Sequence, residues 1–351
     1  MPAALRILEP GLSTTVQDLG RSGYQHLGVA VSGALDPISL RAANALVGNA
    51  PGTGALEVAY VGPTFVVEAD SAQLACVGSG ARIEVLPDET AAAGITIAGM
   101  QTFRARRGEV IRIGALSDAA VLYVAVAGGF AIEPVLGSVS TFARGGFGGW
   151  QGRALRPGDT LPLLLDRASD RGEFRLEGWS LSRPTRYRAI LGPQNAFFSE
   201  RAIRRLFESE YTVKAASNRM AFQLAGPELD HVAGFDIVSD GIAMGSIQVP
   251  GHGQPIVLMA DRQTTGGYPK VATVISADLA ALGRVRIGET IGFEAIGVEE
   301  AQDLRRRHLL EIDSIADHVV PLTRSGDEIT THLFDDNLIS GAIDAHCSYA
   351  D

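Results

Sequence analysis

Cysteine is scarce in this chain. The two present, Cys76 and Cys347, are too far apart to suggest a disulfide framework and have no metal-type spacing. That usage fits a reducing cytoplasm. None of the seven histidines belongs to an H-E-x-x-H pair or a metal-spaced cluster, so no metal site is expected. His252 alone lies beside a block of interest, where a loop histidine is ordinarily solvated and only sometimes an acid or base. There is no G-x-S-x-G elbow, no Gly/Ser-rich amidase motif and no Met-Lys-Met biotin-attachment motif. A self-contained serine amidase and a biotin carrier are thereby disfavoured. The longest apolar run, 121–132, is interrupted by Gly128 and Gly129 and is too short to span a bilayer. Arg6 and Glu9 stand where a signal peptide needs apolar residues. A formal net charge of −10 argues against nucleic acid or an anionic membrane as a partner.

What is present is a soluble globular composition, 46% hydrophobic and 20% charged over 351 residues, enough for two domains. Between 55 and 162, short apolar or alternating runs recur with glycine, proline or aspartate between them. That pattern predicts strands of a barrel or sandwich, and 41 glycines suit bent, closed sheets. No βαβ alternation appears, which disfavours a doubly wound parallel sheet. One helix is predicted over 37–47: Asp36 caps it, Pro37 opens it and Gly48 stops it. The expected organisation is mainly β with a few short helices. It comprises an N-terminal lobe over 1–184, a second lobe over 185–296 and a charged helix with an arm or tail over 297–351. The last segment is expected to be dispensable for folding but needed for assembly.

Two apolar runs, 256–259 and 271–275, flank an unusually polar block: Asp261, Arg262, Gln263, Thr264, Thr265, Gly266, Gly267, Tyr268, Pro269 and Lys270. A hairpin turn needs no such collection. A solvated loop tip is the bland alternative; a ligand loop for a small polar amide is the reading adopted. Asn218 and Arg219 are expected in a turn between two strands of the same lobe. In the first lobe, Gln17, Asp18 and Arg21 precede the helix. Either Asp18 and Arg21 form a local salt bridge that fixes a turn, or Gln17 and Arg21 face a ligand or a partner chain. The glycine-rich block at 136–152 carries Ser138, Ser140, Thr141 and Arg144. It lacks the lysine and hydroxyl of a P-loop and reads as a turn or an anion-binding loop.

Long ordered stretches carry a family resemblance. GSIQVPGHGQPIVLMADRQTTGGYPKVATVISADL and TTVQDLGRSGYQHLGVAVSGALDPISLRAANALVGN resemble the family of biotin-dependent carboxyltransferases and 5-oxoprolinase C-type subunits. That family is also labelled allophanate hydrolase subunit 2 and is related to the carboxyltransferase region of urea carboxylase. Weaker blocks extend the resemblance over roughly residues 5–295. It implies two cyclophilin-like barrels and a partner that is the B-type component of such an enzyme. The activity it implies is ATP-dependent opening of 5-oxoproline to glutamate. In that reading Asp261, Tyr268 and Lys270 are catalytic. Gln263, Thr264, Thr265, Asn218, Arg219, Gln17 and Arg21 bind substrate, with Arg219 and Lys270 facing phosphate. The alternatives are carboxyl transfer to urea or a related amide from carboxybiotin held by another chain, and a regulatory binding protein of the kind that counters a kinase inhibitor.

Overall fold

The structure, a computed structural model, describes residues 2–322. The first lobe is two antiparallel sheets. One has six strands in the order Thr160–Pro162, Ala4–Glu9, Thr64–Val67, Val110–Ile113, Ile83–Leu86 and Ile95–Ile97. The other has five: Ser13–Gln17, Ala55–Ala59, Val121–Val126, Ser71–Gly78 and Thr102–Arg106. Alternate side chains of Val121–Val126 serve two cores. Leu122, Val124 and Val126 join the cluster between the sheets, with Leu5, Phe65 and Ile111. Val121, Tyr123 and Ala125 face the other way. A strand buried on both faces must read as an unbroken apolar run, which is why this one does.

The outward face of that strand is covered by helix α1, Pro37–Val47. The Asp36 carboxylate accepts from Ile38 N and Ser39 N at 3.1 and 3.2 Å, and Gly48 ends the helix with φ of 76°. The second lobe is a closed seven-stranded barrel: Arg186–Leu191, Lys270–Val274, Ser246–Gln248, Ile256–Leu258, Ala221–Ala225, Glu210–Val213 and Thr290–Ala295. Only its closing pair, Arg186–Leu191 with Thr290–Ala295, is parallel. Tyr187, Tyr211, Val257 and Phe293 of the barrel belong to the same apolar cluster as α1. The lobes therefore share a core, and their contact is fixed by apolar burial.

Beyond the barrel, a helix spans Val298–Asp313 and has no fully buried residue. The chain then returns to the core: Ile315, in the 3-10 turn Ser314–His318, is 3% exposed within the shared cluster, and Val319–Pro321 pairs with Phe174–Leu176. This revises the expectation that everything after 296 is dispensable for folding. An isoleucine that fills the core and a strand pair are stabilising contacts. The expected arm beyond 322, with Cys347, lies outside the described residues.

Candidate functional site

The polar block at 261–270 does not tip a hairpin. Strand Ser246–Gln248 lies between its two flanking strands in the barrel. The block thus crosses one end of the barrel, and its charged side chains point in three directions.

Asp261 turns toward the first lobe. Its carboxylate accepts from Arg219 Nε at 2.9 Å and from Arg219 Nη2 at 3.1 Å. Arg219 also donates to Glu57 Oε1 and, at 2.6 Å, to the carbonyl of Gly33. The other Glu57 oxygen accepts from Leu35 N at 2.8 Å and the Tyr123 hydroxyl at 2.5 Å. Tyr123 accepts from Asp36 N. One guanidinium thus ties the barrel to helix α1 and the five-stranded sheet. Burial opposes the Arg219 charge, but Glu57 and Asp261 outweigh it and raise its pKa. Burial, then the charges of Glu57 and Asp36, push the Tyr123 phenol well up. Gly33 sits at φ of 84°, and a Cβ there would lie 2.8 Å from Gly20 N, so the loop that offers its carbonyl to Arg219 needs glycine. Asn218 shapes the same turn, accepting from Met220 N at 2.8 Å. Asn218 and Arg219 line an interlobe cavity of about 270 Å³ whose walls include Leu35, Tyr60, Val285 and Ile287.

Lys270 lies elsewhere. Its ammonium, 3% exposed, donates to Asp240 Oδ2 at 2.7 Å and to the Gly241 carbonyl at 3.2 Å. Tyr268 is 42% exposed; its backbone carbonyl accepts from Gln248 Nε2 at 3.2 Å. Gln263 is exposed. Asp261, Tyr268 and Lys270 are therefore not gathered into one cluster: the acid belongs to the interlobe network, the lysine to Asp240.

Gln17 and Arg21 are both buried. Gln17 donates to Thr15 Oγ1 and the Thr141 carbonyl, at 3.0 and 3.2 Å. Arg21 donates to the carbonyls of Ser140 and Val135 and lies 5.0 Å from the Phe147 ring centroid. Asp18 and Arg21 make no ion pair. Asp18 instead accepts from Ser138 Oγ, Ser140 Oγ, Val139 N and Gly20 N. Both residues pin the glycine-rich block, whose hydroxyls are turned inward: Thr141 Oγ1 donates to the Val16 carbonyl.

Arg262 is the third direction. It is 7% exposed, yet no carboxylate meets it. Its Nε donates to the Ile242 carbonyl at 3.1 Å and its Nη1 to the Met259 carbonyl at 3.4 Å. Burial lowers its pKa from the ordinary arginine value. It lines an open pocket of about 550 Å³ with Thr264, Thr265 and Met244 of the barrel lobe and Gln25 and His26 of the first lobe. Among the described residues there is no group of three or more His, Cys, Asp or Glu able to hold a metal ion. No described helix is long and apolar enough to cross a membrane.

Sequence reasoning missed Glu57, Tyr123 and Asp240. Glu57 carried one signal, an acid inside the otherwise apolar strand ALEVA. Sequence reasoning placed Arg262 within the polar block but gave it no role of its own.

Known proteins share this architecture. The chain is 37% identical over 311 residues to the C-type subunit of 5-oxoprolinase from Haemophilus influenzae, covering 88% of this chain and 96% of that protein. The C-type subunit of the Escherichia coli 5-oxoprolinase is 36% identical over 86% of this chain and 94% of its own length. The crystal structure of the Kluyveromyces lactis urea carboxylase superposes with a TM-score of 0.79 at 26% identity, over 92% of this chain and 31% of that one. The family described as "Carboxyltransferase domain, subdomain A and B" matches residues 27–295, and the chain belongs to it.

Proposed function

We propose that the chain is the C-type subunit of an ATP-dependent 5-oxoprolinase, converting 5-oxoproline, ATP and water to glutamate, ADP and phosphate together with a B-type partner. The observation that supports this most is the end-to-end similarity to two 5-oxoprolinase C-type subunits, 36–37% identical over 94–96% of their lengths. A lactam is a poor electrophile because its nitrogen donates into the carbonyl. Phosphorylation of the carbonyl oxygen, with loss of the N–H proton, turns the lactam into an imidate phosphate, whose C=N carbon is electrophilic enough for water to add. C–N cleavage then leaves the former ring nitrogen as the amine of glutamate and the carbonyl as an acyl phosphate, which a second water hydrolyses to the carboxylate and phosphate.

The residues that the sequence offered for phosphate are already engaged. Every nitrogen of the Arg219 guanidinium donates to a protein oxygen, Lys270 is held by Asp240, and the hydroxyls of the glycine-rich block point inward. These residues do not fit a triphosphate. The chain's own contribution is an interlobe frame and an open pocket at the barrel end, where Arg262, Thr264 and Thr265 can meet a small polar acceptor.

A carboxyltransferase reading, with urea or another amide accepting the carboxyl group of a partner-held carboxybiotin, is favoured by the likeness to urea carboxylase. Co-expression with the B-type partner separates the two. Phosphate release from ATP that requires 5-oxoproline, with equimolar glutamate, is the expected result. ATP turnover that ignores 5-oxoproline but responds to urea with a biotin carboxylase present would overturn the first reading.

A further inference from the structure

The charges at the barrel end are unequally matched. Arg219 faces two carboxylates, and Lys270 faces one. Arg262 faces none, although it is more than nine-tenths buried. Its Nη2 has no hydrogen-bond partner among the described residues, and its Nη1 has only a long one at 3.4 Å. A guanidinium in that state carries an uncompensated charge, and an anion at its Nη1–Nη2 edge would meet it bidentately. The hydroxyls of Thr264 and Thr265 line the same pocket and have no protein partner among the described residues. No acidic side chain lines it, so nothing in its wall repels an anion. Gln25 and His26 approach from the first lobe, which leaves the pocket dependent on the interlobe contact.

We propose that Arg262, with Thr264 and Thr265, is the subsite for the carboxylate of the substrate. This rests on the 5-oxoproline reading above and extends it to specificity. 5-Oxoproline carries a carboxylate on the ring carbon next to nitrogen; urea and simple lactams carry none. A neutral amide bound in this pocket would leave the guanidinium buried and unanswered. The arginine therefore selects lactam acids over neutral amides.

The test is calorimetric titration of the full chain, alone and assembled with its partner, using 5-oxoproline and 2-pyrrolidinone, the same ring without the carboxylate. Wild type is expected to bind 5-oxoproline at least roughly tenfold more tightly, the loss that goes with one hydrogen bond to a charged group. Arg262→Gln should bring the two affinities together by weakening 5-oxoproline alone. Thr265→Val, at an exposed position, keeps the arginine and should reduce the preference by a smaller factor, so the idea stays testable if the arginine variant misfolds. Equal wild-type affinities, absence of binding by either compound, or an unchanged preference in Arg262→Gln would each overturn the subsite. So would inorganic phosphate binding in place of 5-oxoproline, which would make the pocket a phosphoryl site. A carboxylate preference that depends on Arg262 in an assembly without 5-oxoprolinase turnover would sustain the subsite and sink the proposed reaction.

Discussion

Replacing Arg219 by methionine should be among the most damaging single changes in the barrel lobe, and its cost follows from what is left behind. The Arg219 side chain is one-fifth exposed, while those of Glu57 and Asp261 are 4% and 9% exposed. Removing the cation strands two carboxylates between the lobes. Breaking a buried ion pair by deleting one partner costs about 3–5 kcal/mol, and a solvated pair costs about 1 kcal/mol or less. Asp261→Asn is milder, because Arg219 keeps Glu57 and the Gly33 carbonyl; losing one charged hydrogen-bond partner costs about 1.5–3 kcal/mol. Urea unfolding of the full chain, followed by tryptophan fluorescence, reads both. A double-mutant cycle of Glu57→Gln with Arg219→Met isolates the interlobe term, expected between about 0.5 and 3 kcal/mol. If Arg219→Met lowers stability by less than about 1 kcal/mol, water reaches the network and the interlobe frame rests on the shared apolar core and its other polar links, such as the Arg284–Asp36 pair.

Two further outcomes follow from buried titratable groups. Burial, reinforced by Glu57 and Asp36, raises the Tyr123 phenol above its unfolded value near 10, so the native state keeps a proton that the unfolded chain releases. The resulting stabilisation is complete below about pH 10 and is lost as pH rises toward the folded value. Stability measured above pH 10 should therefore fall less steeply in Tyr123→Phe, by up to about 1.4 kcal/mol per pH unit; an identical slope would contradict this. Burial alone pushes the Cys76 thiol up to about 12, so in a Cys347→Ser background a thiol reagent at pH 8 should label the folded chain no faster than it unfolds.

How much of this was legible in the sequence depended on how local each cause is. Helix α1 was legible because its cap, opening proline and stop glycine all lie within 13 residues of one another. The lobes were legible as short alternating strands. Their sheet orders were not, since pairing depends on which strands meet in space. The site resisted for the same reason. Arg219 and Glu57 are 162 positions apart, and no local pattern pairs them. Asp18 and Arg21 show the converse. Their proximity in sequence suggested a salt bridge, but Asp18 finds hydroxyls and an amide about 120 positions away. A carboxylate can accept several hydrogen bonds, and backbone N–H groups in a tight turn satisfy it as well as an arginine does. The block at 261–270 is more than a solvated loop tip, since Asp261, Arg262 and Lys270 are buried. Its composition could not say that its acid, its arginine and its lysine would part company.

The segment after the barrel offers a final test of local pattern against packing. Its most visible feature is the helix Val298–Asp313, yet that helix has no fully buried residue, and its Leu309 and Leu310 are 42% and 71% exposed. The anchor is Ile315, in a turn that packs against α1 and is followed by the strand pair with Phe174–Leu176. The Trp179 and His318 rings meet edge-on at 5.1 Å beside it. A long helix attracts attention because periodicity is easy to read, but stability comes from apolar area removed from water. Ile315→Ala in the full chain should cost about 2–5 kcal/mol, the range for a large-to-small change in a packed core. Leu310→Ala should change stability by about 0.5 kcal/mol or less. Urea unfolding of the two variants side by side decides. Equal, small effects would return the segment to a docked but dispensable tail. A large Ile315 effect alone would show that the C-terminal turn closes the core from which the interlobe site takes its geometry.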